Sequence, residues 1–142
     1  MSKVKIKFRI VTPERIVYED EIDQVTVVTE VGEVTILGRH TPLVSIIKPG
    51  ELRIKKDNRT ISLSVSSGFL EVRPNSEVYI LADTAERVEE IDIEKAKEAR
   101  ARAVKILEES QDRKDVDFAR LQAVIDREMS RLKIAEKYRK KV

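Results

Sequence analysis

Leu81-Ala82-Asp83-Thr84-Ala85-Glu86-Arg87-Val88-Glu89-Glu90-Ile91-Asp92-Ile93-Glu94-Lys95-Ala96 is where one kind of sequence gives way to another. All four Gly (32, 38, 50, 68) and all four Pro (13, 42, 49, 74) lie before this stretch, breaking the chain into short apolar runs. Residues 86–142 contain neither, and carry 30 charged groups in 57 positions against 24 in residues 1–85. Turn formers on one side and an unbroken charged stretch on the other predict two domains, 1–86 and 87–142, joined near 84–90.

Upstream the period is two. Val4, Ile6, Phe8 and Ile10 alternate with Lys5, Lys7 and Arg9, as a half-buried strand requires. Ile61, Leu63 and Val65 alternate with Ser62, Ser64 and Ser66 in the same way. Between and beyond them, β-rich runs fall at 15–18, 24–29, 34–37, 44–47, 52–55, 69–73 and 78–82. Pro13, Gly32, Pro49-Gly50, Asp57-Asn58 and Pro74-Asn75 separate them with fixed φ, permitted positive φ or local side-chain bonding. Short strands at this spacing, with no helical interval, predict an antiparallel β-sandwich of about 8–10 strands.

Downstream the period lengthens. Asp92 is a suitable N-cap, with Glu94 in the first turn. Ala96, Ala99, Ala103, Ile106 and Leu107 then mark one face of a helix. The pattern breaks at 110–114, Asp115 is placed to cap a second helix, and Phe118, Leu121, Ile125, Met129 and Leu132 form its stripe, continued by Ala135 and Tyr138. The end is basic, with Lys137, Arg139, Lys140 and Lys141. The expected fold is therefore α+β, a β-sandwich followed by an α-helical hairpin. An alanine seam buries little area, so the hairpin is expected to be marginal unless it docks on something.

The 142 residues include 28 Lys+Arg, 26 Asp+Glu, one His and no Cys. A net charge of +2 is too small to steer nucleic acid, and none is expected as a partner. Absence of cysteine excludes thiol nucleophiles and Cys-based zinc sites, and the single His40 excludes His-rich metal centres. No apolar run approaches the ~20 residues of a membrane span, and the alternating N-terminus is unlike a secretory signal. No phosphate loop or dinucleotide fingerprint occurs. These exclusions predict a chain that is not catalytic by itself, with no catalytic or metal residues and no required cofactor.

Arginine placement is the remaining chemical signal. Arg120, Arg127 and Arg131 lie at intervals of seven and four, and Arg102 on the first helix faces them or not according to register. Clustered guanidinium groups bind phosphate through forked hydrogen bonds. The competing expectation is pairing within the helix, with Asp126, Glu128 and their neighbours.

The order of several motifs resembles the epsilon subunit of the bacterial F-type ATP synthase. They are Ile10-Val11-Thr12-Pro13-Glu14-Arg15, Val17-Tyr18-Glu19, Gly32-Glu33, Thr35-Ile36-Leu37-Gly38-Arg39-His40-Thr41-Pro42-Leu43, Ile47-Lys48-Pro49-Gly50, Ser67-Gly68-Phe69-Leu70-Glu71-Val72 and Leu81-Ala82-Asp83-Thr84-Ala85-Glu86-Arg87, followed by Ile91-Asp92. The resemblance implies a non-catalytic central-stalk subunit that binds gamma and rests on the c-ring. Rotation then couples proton flow to ATP synthesis in the alpha/beta head, at the cytoplasmic face of the bacterial plasma membrane. By motif position, Glu33 and His40 would face the c-ring, although Thr35 and Gly38-Arg39 depart from the family's Gly-Ile-Leu-Pro-Gly-His.

The same resemblance implies a hairpin that folds compactly or extends along gamma, the extended form inhibiting hydrolysis. Arg120, Arg127, Arg131 and Lys133 are then candidates to meet an acidic segment of beta. It also brings in ATP as a regulatory ligand of the compact form, at an Ile-Asp-x-x-Arg-Ala motif with arginines of both helices. Here the positions are Glu86, Ile91, Asp92, Lys95, Ala96, Arg102, Arg120, Arg127 and Arg131, with Lys95 in place of the motif arginine. Lysine keeps the charge but loses the planar fork. A lost charge-assisted bond costs roughly 1.5–3 kcal/mol, so ATP affinity is expected to fall by about one to two decades. The alternative, resting on no likeness, is a stand-alone β-sandwich binding module with a helical oligomerisation tail.

Overall fold

The computed structural model describes residues 4–110, 114 and 116–139. Two compact units divide the chain, Met1–Arg87 and Val88–Val142. The first contains β1 (Ile6–Val11), β2 (Ile16–Ile22), β3 (Gln24–Thr29), β4 (Gly32–Leu37), β5 (Leu43–Ile47), β6 (Gly50–Lys56), β7 (Arg59–Val65), β8 (Gly68–Arg73), β9 (Glu77–Ala82) and β10 (Ala85–Arg87). The two alternating runs and the seven β-rich runs expected from sequence are all present as strands. The tenth strand, β10, lies in the stretch assigned to the joint, where Ala85-Glu86-Arg87 is too short to show a period.

A single pairing, Thr29↔Ile47, joins two halves of the sheet. One half runs β10-β7-β6-β3, with β4 on the other side of β3, and the second runs β5-β8-β9-β1-β2. Inward-facing Ile6, Phe8 and Ile10 of β1, Leu52 and Ile54 of β6, and Leu70 and Ile80 of the second half fill the space between them. The pairing is antiparallel with one exception: β1 and β9 run parallel, Lys7 opposite Glu77 through Val11 opposite Leu81. The turns are the ones that their residues favour. Asp57 and Asn58 both take positive φ between the paired Lys56 and Arg59, the geometry of a two-residue hairpin.

Backbone and side-chain bonds tie the end of β2 to the end of β6. Lys56 pairs with Asp20, Asp23 N donates to Lys55 O at 2.8 Å, and Lys5 binds Asp23 at 2.7 Å and Asp57 at 3.1 Å. Lys56 holds the Asp20 carboxyl below the usual carboxylate range, and Asp20 raises the Lys56 ammonium in turn. Asp23, followed by Asp57, likewise raises the Lys5 ammonium.

The second unit begins with a 3-10 turn at Val88–Glu90, followed by α1 (Ile93–Glu109) and α2 (Phe118–Arg139). The Asp92 side chain accepts from Lys95 N at 3.1 Å, the cap expected of it. For α2 the equivalent bond comes from Asp117, which accepts from Arg120 N at 3.0 Å; Asp115 lies outside the described residues, as do Lys140 and Lys141. Arg139, at the end of α2, donates to Ile91 O at 2.6 Å, just before α1. The helices therefore run antiparallel. Val88, Ile91, Ile134 and Ala135 form a small core at this end, with Ile93 and Tyr138 beside it. The alanine face is buried at Ala96 and Ala103, whereas Ile106 and Met129 are about half exposed.

Candidate functional site

Strand alternation should leave one face of the second half-sheet polar, and at one end it does not. Ile46 of β5 stands opposite Phe69 of β8, Phe69 opposite Leu81 of β9, and Leu81 opposite Val11 of β1. Ile46, Phe69 and Leu81 are 45%, 52% and 44% exposed although all three are large and apolar. With Pro13 and Gly68 they line an open groove of about 490 Å³. The next cross-strand row is Glu71, Tyr79, Arg9 and Glu19. The Arg73 guanidinium lies 4.1 Å from the Tyr79 ring centroid, and Arg9 5.9 Å. Arg73 Nε donates to Glu71 at 2.8 Å, which lowers the Glu71 pKa and raises that of Arg73. An exposed apolar row bordered by Tyr and Arg has the composition of a protein-binding surface.

This face was not among the residues singled out from sequence. Its signal is a set of doublets, Ile46-Ile47, Phe69-Leu70 and Ile80-Leu81, each putting one apolar side chain on either face of its strand.

The two residues assigned by resemblance to a c-ring surface are separated. Glu33 is near the start of β4, where Arg53 donates to it at 2.9 Å; His40 follows the far end of the strand, its N–H bonded to Leu37 O at 3.2 Å. At about 3.3 Å per residue, roughly 13 Å of strand lies between Glu33 and Leu37. The β3–β4 turn beside Glu33 carries Val31, which is 87% exposed, and Gly32 at φ +117°.

The nucleotide positions fall on several elements. Glu86 is on β10 of the first unit, opposite Ser64. In the second unit, Ile91 is buried, Asp92 caps α1, and Lys95 is exposed above buried Ala96 in the first turn. Lys95 and Arg102, seven residues apart, share a face of α1. Arg120 is exposed at the start of α2. Arg127 and Arg131 share a face of α2 and both bind Glu128, Arg127 Nε donating at 3.2 Å and Arg131 at 2.7 Å. For these two arginines the pairing within the helix is what the structure has. Lys133 lies instead in a groove of about 400 Å³ between the helices, with Lys97, Arg100, Met129 and Glu136.

Residues 5–88 match the family described as ATP synthase, Delta/Epsilon chain, beta-sandwich domain. Residues 89–136 match ATP synthase, Delta/Epsilon chain, long alpha-helix domain. An ATP synthase epsilon chain of Desulforamulus reducens is 41% identical over 136 residues, covering 96% of this chain and 100% of the relative. That of Dehalococcoides mccartyi is 48% identical over 139 residues, 96% of each chain. A chain in the Euglena gracilis mitochondrial ATP synthase, solved with its OSCP, F1 and c-ring, shares the fold. It superposes with a TM-score of 0.73 at 22% identity, over 89% of this chain and 79% of its own. With both domain families matched in order along nearly its whole length, the chain belongs to the ATP synthase epsilon-chain family.

Proposed function

We propose that the chain is a non-catalytic subunit of the central stalk of a bacterial F-type ATP synthase, docking on gamma through its sandwich and resting on the c-ring. It transmits proton-driven rotation to the alpha/beta head, where ATP is made. The observation that carries the docking role is the exposed row Ile46–Phe69–Leu81, continued by Val11. A contiguous exposed apolar row of this kind on a sheet face marks a site of interaction with another protein. The surroundings of the structural neighbour's fold, an OSCP/F1/c-ring assembly, agree with such a place. Among the described residues no helix is long and apolar enough to cross a membrane. Attachment at the cytoplasmic face of the plasma membrane then comes through the complex. Glu33 and His40, at the two ends of β4, are the residues assigned to the c-ring side.

The hairpin is the regulatory part: extended, it restrains ATP hydrolysis, with Arg120, Arg127, Arg131 and Lys133 toward beta. Compact, it takes ATP at Glu86, Ile91, Asp92, Lys95, Ala96, Arg102, Arg120, Arg127 and Arg131. Its small core and alanine seam support a unit that changes partners at little cost.

Co-purification with gamma tests the docking role. The wild-type chain is expected to be retained and Phe69→Asp to be lost, with the circular dichroism of the sandwich unchanged. Retention of F69D at the wild-type level overturns the assigned face, and failure of the wild-type chain to bind gamma overturns the stalk role in favour of a free-standing module. Removal of residues 87–142 from the reconstituted enzyme is expected to raise ATP hydrolysis; an unchanged rate removes the regulatory role.

A further inference from the structure

Among the described residues Glu128 is the only charged side chain that is buried, 2% exposed on a helix whose other buried positions are Ile125, Leu132, Ile134 and Ala135. A carboxylate in such surroundings is stable only when its oxygens are bonded and its charge is met. Both conditions hold: Arg127 Nε donates to Oε1 at 3.2 Å and Arg131 Nη1 to Oε2 at 2.7 Å. Each carboxylate oxygen has its own guanidinium. A phosphate group would offer the same two arginines the same chemistry, oxygen acceptors sharing a negative charge.

We infer that Glu128 is an internal anionic ligand of the Arg127–Arg131 pair, one that competes with any phosphate-bearing ligand for these guanidinium groups. The inference rests on the nucleotide reading of the hairpin and adds the residue that sets its affinity. Glu128 is tethered one residue from Arg127 and three from Arg131. Its carboxylate therefore competes at a local concentration above that of a free ligand. Displacement also strands a carboxylate at a site that is otherwise apolar along the helix, a second opposing term. Both penalties are removed when Glu128 is replaced by an uncharged side chain.

The test is calorimetric titration of the full chain with inorganic pyrophosphate and, separately, with MgATP. The chains compared are wild type, Glu128→Gln, and Glu128→Gln combined with Arg127→Gln; far-UV circular dichroism reads the helices. E128Q is expected to bind pyrophosphate roughly ten- to a hundredfold more tightly than wild type, the range of one charge-assisted bond. Adding R127Q is expected to abolish that gain. Equal or weaker pyrophosphate binding by E128Q, with its helical signal intact, overturns the inference. Should E128Q lose that signal, Glu128→Met, apolar and of similar length, is read by the same two outcomes. A pyrophosphate gain with no MgATP binding by any variant keeps the inference and removes nucleotide as the ligand. MgATP binding that E128Q does not tighten removes the inference and leaves the nucleotide reading standing.

Discussion

A methyl group at Gly68 would lie 1.9 Å from the Leu81 carbonyl oxygen and 2.8 Å from Ala82 Cα. Both are backbone atoms of the neighbouring strand, so neither yields as a side chain does. Gly68→Ala is therefore expected to destabilise the sandwich by about 1–3 kcal/mol or more, read as a lower urea midpoint. Asp20 makes a different kind of contribution, one that depends on pH. Its folded-state pKa is lowered by Lys56, so the pair stabilises the fold above the unfolded carboxylate pKa and ceases to as pH falls through the lowered value. Asp20→Asn is expected to be less stable than wild type at pH 7, with the gap closing from about pH 4 downward in thermal melts. The Tyr18 hydroxyl is buried beside this pair and meets no hydrogen-bonding partner among the described residues, and burial pushes its pKa up. Tyr18→Phe removes an unsatisfied polar atom and keeps the ring that packs 6.0 Å from Phe8. It is expected to leave the melting temperature unchanged or higher.

Helix α1 has a single side-chain cap, Asp92, and a buried face made of alanines. Asp92→Ala is expected to cost about 1 kcal/mol, and in so small a core that should show as reduced ellipticity at 222 nm before the sandwich melts. How much of each element was legible follows the same physics. Alternation marked β1, where Ile6, Phe8 and Ile10 are buried and Lys7 and Arg9 are not. It also marked β7, but there Ser62 and Ser64 are buried along with Leu63 and Val65, so the strand is not the half-buried one that the pattern predicts. It could not mark the parallel partnership of β1 with β9, since pairing across so much chain leaves no local trace. The stripe drawn through Ile125, Met129 and Leu132 was right at its ends and wrong between them. Met129 is 52% exposed and Glu128 takes the buried place. Hydrophobicity alone ranks methionine inward and glutamate outward. The order reverses here because arginines one and three residues away satisfy both carboxylate oxygens. For the docking face the doublets were visible, but only the register showed that they align in one row.

At the scale of the molecule, the two units differ in what holds them. The sandwich buries large side chains from all of β1 to β9, whereas the hairpin's own core is a handful of residues around Ile91 and Ile134. Residues 1–87 expressed alone are expected to unfold in one cooperative transition, and residues 88–142 alone to show a shallow, broad one by circular dichroism. The parallel pair then bears on how the protein is made. Lys7 must wait for Glu77, which leaves the ribosome 70 residues later. At about 5–20 residues per second that is roughly 4–14 s. β1 and β2 form a local antiparallel pair during this interval, but the other edge of β1 stays open to any passing strand. Lys7 and Arg9 stand on that edge, and cations there discourage pairing with a stranger. The charges that border the proposed docking surface thus act earlier as guards during synthesis.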